Sequence, residues 1–467
     1  MQRVDLVVKN ARLVLGENLV EAGVAVEDGK IVAIAKDMNL PEGEHLINAH
    51  KKIVVPGLID AHVHFRDPGR PDAEDFLSGT KAAAAGGICT VLDMPGVSPE
   101  ILTVKDLETK INAVKNKAIV DFGLYGGLSS KNLNATPKLA EAGVVAFKTF
   151  LIETTYYLED DYLLFKALQN VSSANIPCSI HAENWSIIKA LIRSLQDEGR
   201  TDPMAHIASR PNFTEAEAVL KVAYFAFLTN AHVHIAHTST KEALEIARLA
   251  KERNVNLTAE TCPHYLTLTS DAMREFGPYA KVNPPLRDVS DVKALWRGVK
   301  EGIIDIIASD HAPHTKSDKD VGKENIFLSS PGMPNIEIMI PILLTKVNEG
   351  LISIFQLTKM LSYNVAKIFN LYPKKGVIAV GSDADFVIVD LKRRSKINLD
   401  SMHSKARDLN VFIGREVKGV PTTTIVRGNV VMEEGNILAE PGYGEFVRPL
   451  RKSKKLISLA ERKPLES

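Results

Sequence analysis

Short runs in which apolar and polar residues alternate open the chain: DLVVKN, ARLVL, AGVAVEDG and KIVAIAKD, punctuated by Asn, Gly and Asp. A period of two between turn residues predicts antiparallel hairpins. The same grammar returns in GSDADFVIVDL (381–391) and TTTIVRGNVVMEEGNIL (422–438), so the two ends of the chain look alike. Between them, apolar runs of strand length alternate with amphipathic stretches such as Glu215 to Leu228 and Lys241 to Lys251, the pattern of repeated βα units. The runs end in LIDAHVH, CTVLDMP, VDFGLYGG, VVAFKTFL, IPCSIHAEN, HVHIAHTS, LTAETCPHYL and IDIIASDHAPH. Eight of them predict a (β/α)8 barrel, with an open doubly wound sheet as the alternative. In a barrel the chemistry sits where the strands end, at their C-terminal tips. The last residues, VRPLRKSKKLISLAERKPLES, read as a basic tail.

Composition narrows the class. A chain of 467 residues, 45% hydrophobic and 24% charged, can bury a large core. Lys plus Arg and Asp plus Glu both total 57, so no bulk field attracts nucleic acid or an anionic membrane, and the expected partner is a small molecule recognised locally. Cys89, Cys178 and Cys262 form no CxxC pair and are too few for a disulfide framework, which points to a reducing, cytoplasmic setting. Lys9, Asn10 and Arg12 interrupt the N-terminal apolar residues, so neither a signal peptide nor a membrane span is expected there.

Polar residues at the run ends carry the candidate chemistry. His62 and His64 are spaced i, i+2, which on a strand directs both rings to one face. Lys148 interrupts the otherwise apolar run VVAFKTFL. A buried ammonium is costly, so this lysine is either salt-bridged or snorkelling, or carboxylated by carbon dioxide into an anion able to bridge two metals. His181 ends the fifth run, and in the sixth the alternation places His232 and His234 on one face and His237 on the other, with His237 preferred because it stands last. Asp310 ends the most apolar run. Nitrogen and oxygen donors of this mix suit zinc, and an aspartate plus a water suits a catalytic rather than a closed structural site. Cys262 reads as a buried structural thiol rather than a nucleophile.

These residues, together with PGLIDAHVHFRDPG (56–69), AAAAGGICTVLDMP, TCPHYL (261–266), NPPLR (283–287) and ASDHAPH (308–314), resemble the amidohydrolase superfamily in its cyclic amide branch of dihydroorotases, allantoinases and hydantoinases. The resemblance implies an α/β fold: a (β/α)8 TIM barrel (55–374) flanked by a small β-sandwich built from 1–54 and 375–447, with 448–467 as the tail. It implies two Zn2+ ions held by His62, His64, His181, His237 and Asp310 and bridged by carboxylated Lys148, with Asp310 as the catalytic acid and base. Arg66, Asn283 and His314 are similar to the dihydroorotase residues that bind the substrate carboxylate and ring. The activity so implied is reversible hydrolysis of L-dihydroorotate to N-carbamoyl-L-aspartate in pyrimidine biosynthesis, by a homodimer or homotetramer that could associate with aspartate carbamoyltransferase.

The pattern departs from dihydroorotase at Gly96, where that family usually has asparagine after Asp93-Met94-Pro95; a left-handed backbone is one reason for glycine there. LYGGL (124–128) and SRPNFTEAE (209–217) look more like allantoinase, the rival reading, followed by hydantoinase or dihydropyrimidinase. A non-catalytic scaffold with the same fold is the alternative of another class.

Overall fold

The structure is a computed structural model that describes residues 3–96, 98–158 and 160–450. Eight parallel strands in chain order make its centre: β1 (Leu58–Val63), β2 (Ile88–Asp93), β3 (Asp121–Leu124, continued by Gly126–Gly127), β4 (Phe147–Phe150), β5 (Cys178–His181), β6 (Val233–Ile235), β7 (Leu257–Thr261) and β8 (Ile306–Ile307). Each pairs with its successor in register, as in Lys148 with Ser179 and His234 with Thr258. The ring closes between β8 and β1, where Val63 bridges His311 and the His64 N–H donates to the His311 carbonyl at 2.8 Å. An open doubly wound sheet is thereby excluded. β1 and β2 are buried along their whole length, as expected of strands covered on both faces.

Helices occupy the amphipathic stretches. Lys241–Glu252 starts where Thr240 caps the Ala243 N–H, and Asn212–Thr229 extends slightly beyond the expected span before Asn230 ends it in the left-handed conformation.

Two further sheets flank the barrel. One has the order Lys30–Ala35, Gly23–Glu27, Val4–Lys9, Gly43–Asn48; the other runs from Asn436–Ile437 through Asn429–Glu433, Glu416–Val426, Phe386–Lys396, Ile53–Pro56 and Arg12–Leu15 to Asn18–Glu21. Both chain ends share the second sheet, where Val55 pairs with Val387. The expectation of simple antiparallel hairpins needs correction. Val4–Lys9 pairs in parallel with Gly43–Asn48, and Arg12–Leu15 belongs to the other sheet. The cause is Asn10, whose positive φ of 51° turns the chain from one sheet to the next.

The C-terminal segment also differs from a pure sandwich strand. Glu445 accepts from the Phe122 N–H of β3 and the Val447 N–H donates to the Phe122 carbonyl, filling the barrel wall ahead of the start of β4. The basic-tail expectation beyond residue 450 lies outside the described residues.

The junction between sandwich and barrel is polar, with Lys375 and its three carboxylates buried. Lys375 donates to Asp121 and to Asp385 at 2.7 Å and lies 2.9 Å from Asp383. Arg427 pairs with Asp121, and Lys30 with Asp383. Three carboxylates thus meet three cations. Beside them the Gly57 N–H donates to the Asp385 carbonyl, and a Cβ on Gly57 would come within 2.4 Å of the Asp385 Cβ, so only glycine permits the approach. Lys375→Met should remove the shared counter-charge and destabilise the fold by about 3–5 kcal/mol, the range for breaking a buried ion pair from one side. A thermal or urea unfolding comparison measures it.

Candidate metal centre at the barrel mouth

The strands deliver the expected residues to one place. His62 and His64 come from the tip of β1, Lys148 from β4, His181 from the end of β5, His237 from just past β6 and Asp310 from just past β8. His62 Nε2 lies 3.3 Å and His64 Nε2 3.6 Å from Asp310 Oδ1. His181 Nδ1 and His237 Nε2 are 3.0 Å apart, and the His62 and His237 ring centroids are separated by 5.4 Å. Alternation alone would have sent His237 to the opposite face from His234. Its φ of 37° breaks the alternation and turns the ring inward. Asp310 (φ 46°) and Arg66 (φ 58°) are left-handed too, and backbone strain in non-glycine residues concentrates at functional sites.

Two buried carboxylates that the sequence reading did not single out set the ring orientations. Glu260, in β7, accepts from His62 Nδ1, from His234 Nε2 at 3.0 Å and from the His237 N–H at 3.1 Å. Glu183 accepts from His181 Nε2 at 2.6 Å and pairs with Arg210. The signals were present as a carboxylate in the apolar run LTAET and as the pair His181-x-Glu183. Burial raises the cost of charge on both, yet the cations and donors around them hold both below the usual carboxylate range.

Those bonds fix the tautomers. Donation from Nδ1 leaves His62 Nε2 as a bare lone pair facing a carboxylate oxygen, and donation from Nε2 leaves His181 Nδ1 bare. A lone pair opposite Asp310 Oδ1 is repulsive unless a cation lies between them. Burial also lowers the pKa of His64, to about 3, and that of His237 well below the normal imidazole value, so both are neutral donors at pH 7. Asp310 is held below the usual carboxylate range despite its burial. His64 Nδ1, His237 Nδ1 and Lys148 Nζ are buried with no hydrogen-bond partner among the described residues. Neutral imidazoles, an ionised aspartate and unsatisfied donors fit divalent metal ions.

Lys148 makes no salt bridge among the described residues, so the paired-lysine alternative fails. Its Nζ lies 5.0 Å from the Phe150 ring centroid, and burial lowers its pKa to about 8. Cys262 is buried, and burial raises its thiol pKa well above the normal value, as suits a structural cysteine.

Around the mouth, Arg66 Nε donates to the Pro313 carbonyl at 3.2 Å and Arg66 Nη2 lies 3.4 Å from His314 Nε2. Burial lowers the Arg66 pKa to about 10. Asn283 Oδ1 and Tyr156 Oη are buried without hydrogen-bond partners among the described residues. Gly96 has no positive φ, which corrects the conformational explanation for glycine. It faces the site: a Cβ there would lie 3.1 Å from His64 Nδ1 and 3.5 Å from Arg66 Nη1.

Residues 53–431 match the profile of the Amidohydrolase family. The chain belongs to that family. It is 35% identical to L-hydantoinase of Paenarthrobacter aurescens over 95% of this chain and 98% of the relative. Dihydroorotase of Methanothermobacter thermautotrophicus is 37% identical, with 95% and 97% covered, and allantoinase of Enterococcus faecalis is 35% identical, with 95% and 99% covered. Among solved structures, L-hydantoinase from Arthrobacter aurescens superposes with a TM-score of 0.93 at 34% identity, over 95% of this chain and all of that one. This amidohydrolase is a hydrolase of cyclic amides, and the non-catalytic scaffold reading lapses. No helix among the described residues is long and apolar enough to cross a membrane.

Because Glu260 orients two imidazoles of the amidohydrolase and the backbone of a third, Glu260→Gln should keep the fold and weaken metal retention by about 10–100-fold, as for other carboxylates behind a histidine ligand. Titration against a chelator reads the change.

Proposed function

We propose that the enzyme is a dihydroorotase, hydrolysing the cyclic amide of L-dihydroorotate to N-carbamoyl-L-aspartate and running the reaction in reverse. The observation that carries this reading is Arg66, a half-buried guanidinium with no ion pair among the described residues, beside His314 at the mouth of the metal centre. A guanidinium withheld from protein carboxylates is set up to take a bidentate carboxylate from the substrate. His314 supports it from the other side, and the unsatisfied Asn283 Oδ1 offers an acceptor for a ring N–H.

His62, His64, His181, His237, Asp310 and Lys148 would hold two zinc ions. Zinc bound there polarises the scissile carbonyl and acidifies water near neutral pH. Lys148 is read as a carbamate: its amine, made less basic by burial, adds to carbon dioxide and releases one proton, and the resulting anion replaces a cation that the site would repel. Asp310 accepts the proton of the attacking water and returns it to the ring nitrogen as the C–N bond breaks. The homodimer or homotetramer and the aspartate carbamoyltransferase partner belong to this reading.

A second reading rests on Gly96. Its missing side chain leaves space next to Arg66 Nη1, where dihydroorotases place an asparagine. A hydantoin or allantoin ring would use that space, with Arg66 donating to a ring carbonyl.

Asp310→Asn should fold normally and lose about two orders of magnitude or more in kcat, the usual cost of losing general acid and base help. Steady-state kinetics with unchanged metal content checks it. Arg66→Met removes two charge-assisted bonds, and since each is worth roughly 1.5–3 kcal/mol, kcat/KM for dihydroorotate should fall by at least about a hundredfold. Gly96→Asn should leave that substrate unaffected or improve it, provided His64 shifts by a few tenths of an ångström. A harmless Arg66→Met in an enzyme that opens allantoin or hydantoin would replace the first reading with the second.

A further inference from the structure

Two buried lysines outside the metal centre have no carboxylate partner among the described residues, and each reaches into the loop that carries the other. Lys281 follows β7 and stands two residues before Asn283; its Nζ donates to the carbonyls of Ile326 at 2.7 Å and Ser329 at 2.5 Å, in the loop after β8. Lys319 lies in the short helix Lys316–Asp320 of that β8 loop, and its Nζ donates back to the carbonyls of Pro278 at 3.1 Å and Lys281 at 3.2 Å. The Gly332 N–H closes the loop pair on the Lys281 carbonyl at 2.8 Å. Next to Gly332, Pro331 accepts from His314 Nε2 at 2.9 Å.

An ammonium held only by backbone carbonyls is an expensive way to fill space, because an apolar chain of that length avoids the desolvation cost. What the lysines supply is geometry. Four carbonyls on two loops are fixed relative to each other, and the loops carry Asn283 and His314, two residues of the proposed substrate site. Burial, Arg66 and Lys319 together hold His314 well below the normal imidazole value.

We infer that Lys281 and Lys319 are positioning residues, a reciprocal clamp that holds Asn283 and His314 at the spacing the substrate ring requires. The inference rests on the reading that those two residues contact substrate.

The test uses the metal-loaded enzyme and whichever of dihydroorotate, allantoin, hydantoin or dihydrouracil the wild type opens. Lys281→Met and Lys319→Met should raise KM by about tenfold or more, in line with the large rate effects of small misplacements, while kcat stays within about threefold and metal content is unchanged. In a His314→Ala background, Lys319→Met should add almost nothing to KM, because the residue it positions is gone. Should a Met variant not fold, Lys319→Gln, which keeps N–H donors without the charge, carries the same comparison. Full additivity with His314→Ala, or a lower Tm with KM untouched, overturns the clamp. If the substrate proves to be one without a carboxylate, the dihydroorotase reading fails while the coupling still judges the clamp.

Discussion

Glu260 is the residue on which the geometry of the site turns. Its carboxylate lies in β7 with no exposure to solvent, and three donors from two other positions on the barrel wall converge on it. A buried charge of this kind survives only because both of its oxygens accept hydrogen bonds. The consequence runs outward: the proton on His62 is confined to Nδ1, its other nitrogen faces Asp310, and the backbone of His237 is held in the strained conformation that brings its ring back to the centre. Glu183, itself fixed by Arg210, does the same for His181. The ring nitrogens of the candidate metal centre are thus oriented by the protein's own hydrogen bonds, the arrangement that preorganises a ligand set.

Much of this was legible in the residues. Eight apolar runs predicted eight strands because a fully covered strand has few other ways to be written, and the polar residues at their ends were conspicuous against that background. His62 and His64 follow from strand periodicity. His237 does not: its nearness to His181 depends on a φ of 37° that no periodicity encodes. Glu260 and Glu183 were missed because a carboxylate among apolar residues was sought as a ligand, and these act one step behind the ligands. The sheet switch at Asn10 was missed because alternation reveals strands and not their partners.

The comparisons divide the molecule into two levels of information. A hydantoinase, an allantoinase and a dihydroorotase are each 35–37% identical to this chain over almost its full length. Overall likeness therefore identifies the chemistry and does not choose the ring. In the proposed reading the choice lies in a few side chains: Arg66 and His314, the gap left by Gly96, and the unsatisfied Asn283 and Tyr156. Arg66 is the only one of these with a permanent charge, and a guanidinium without an ion pair among the described residues is what the proposed substrate carboxylate rests on.

That statement is tested most directly by offering the purified, zinc-loaded enzyme dihydroorotate, allantoin, hydantoin and dihydrouracil side by side and comparing kcat/KM. A substrate carboxylate held by Arg66 predicts that dihydroorotate is opened most efficiently, by at least about tenfold over the uncharged rings, the value of a single charge-assisted contact. Efficient opening of allantoin or hydantoin with dihydroorotate ignored would contradict it and make Arg66 a donor to a neutral ring.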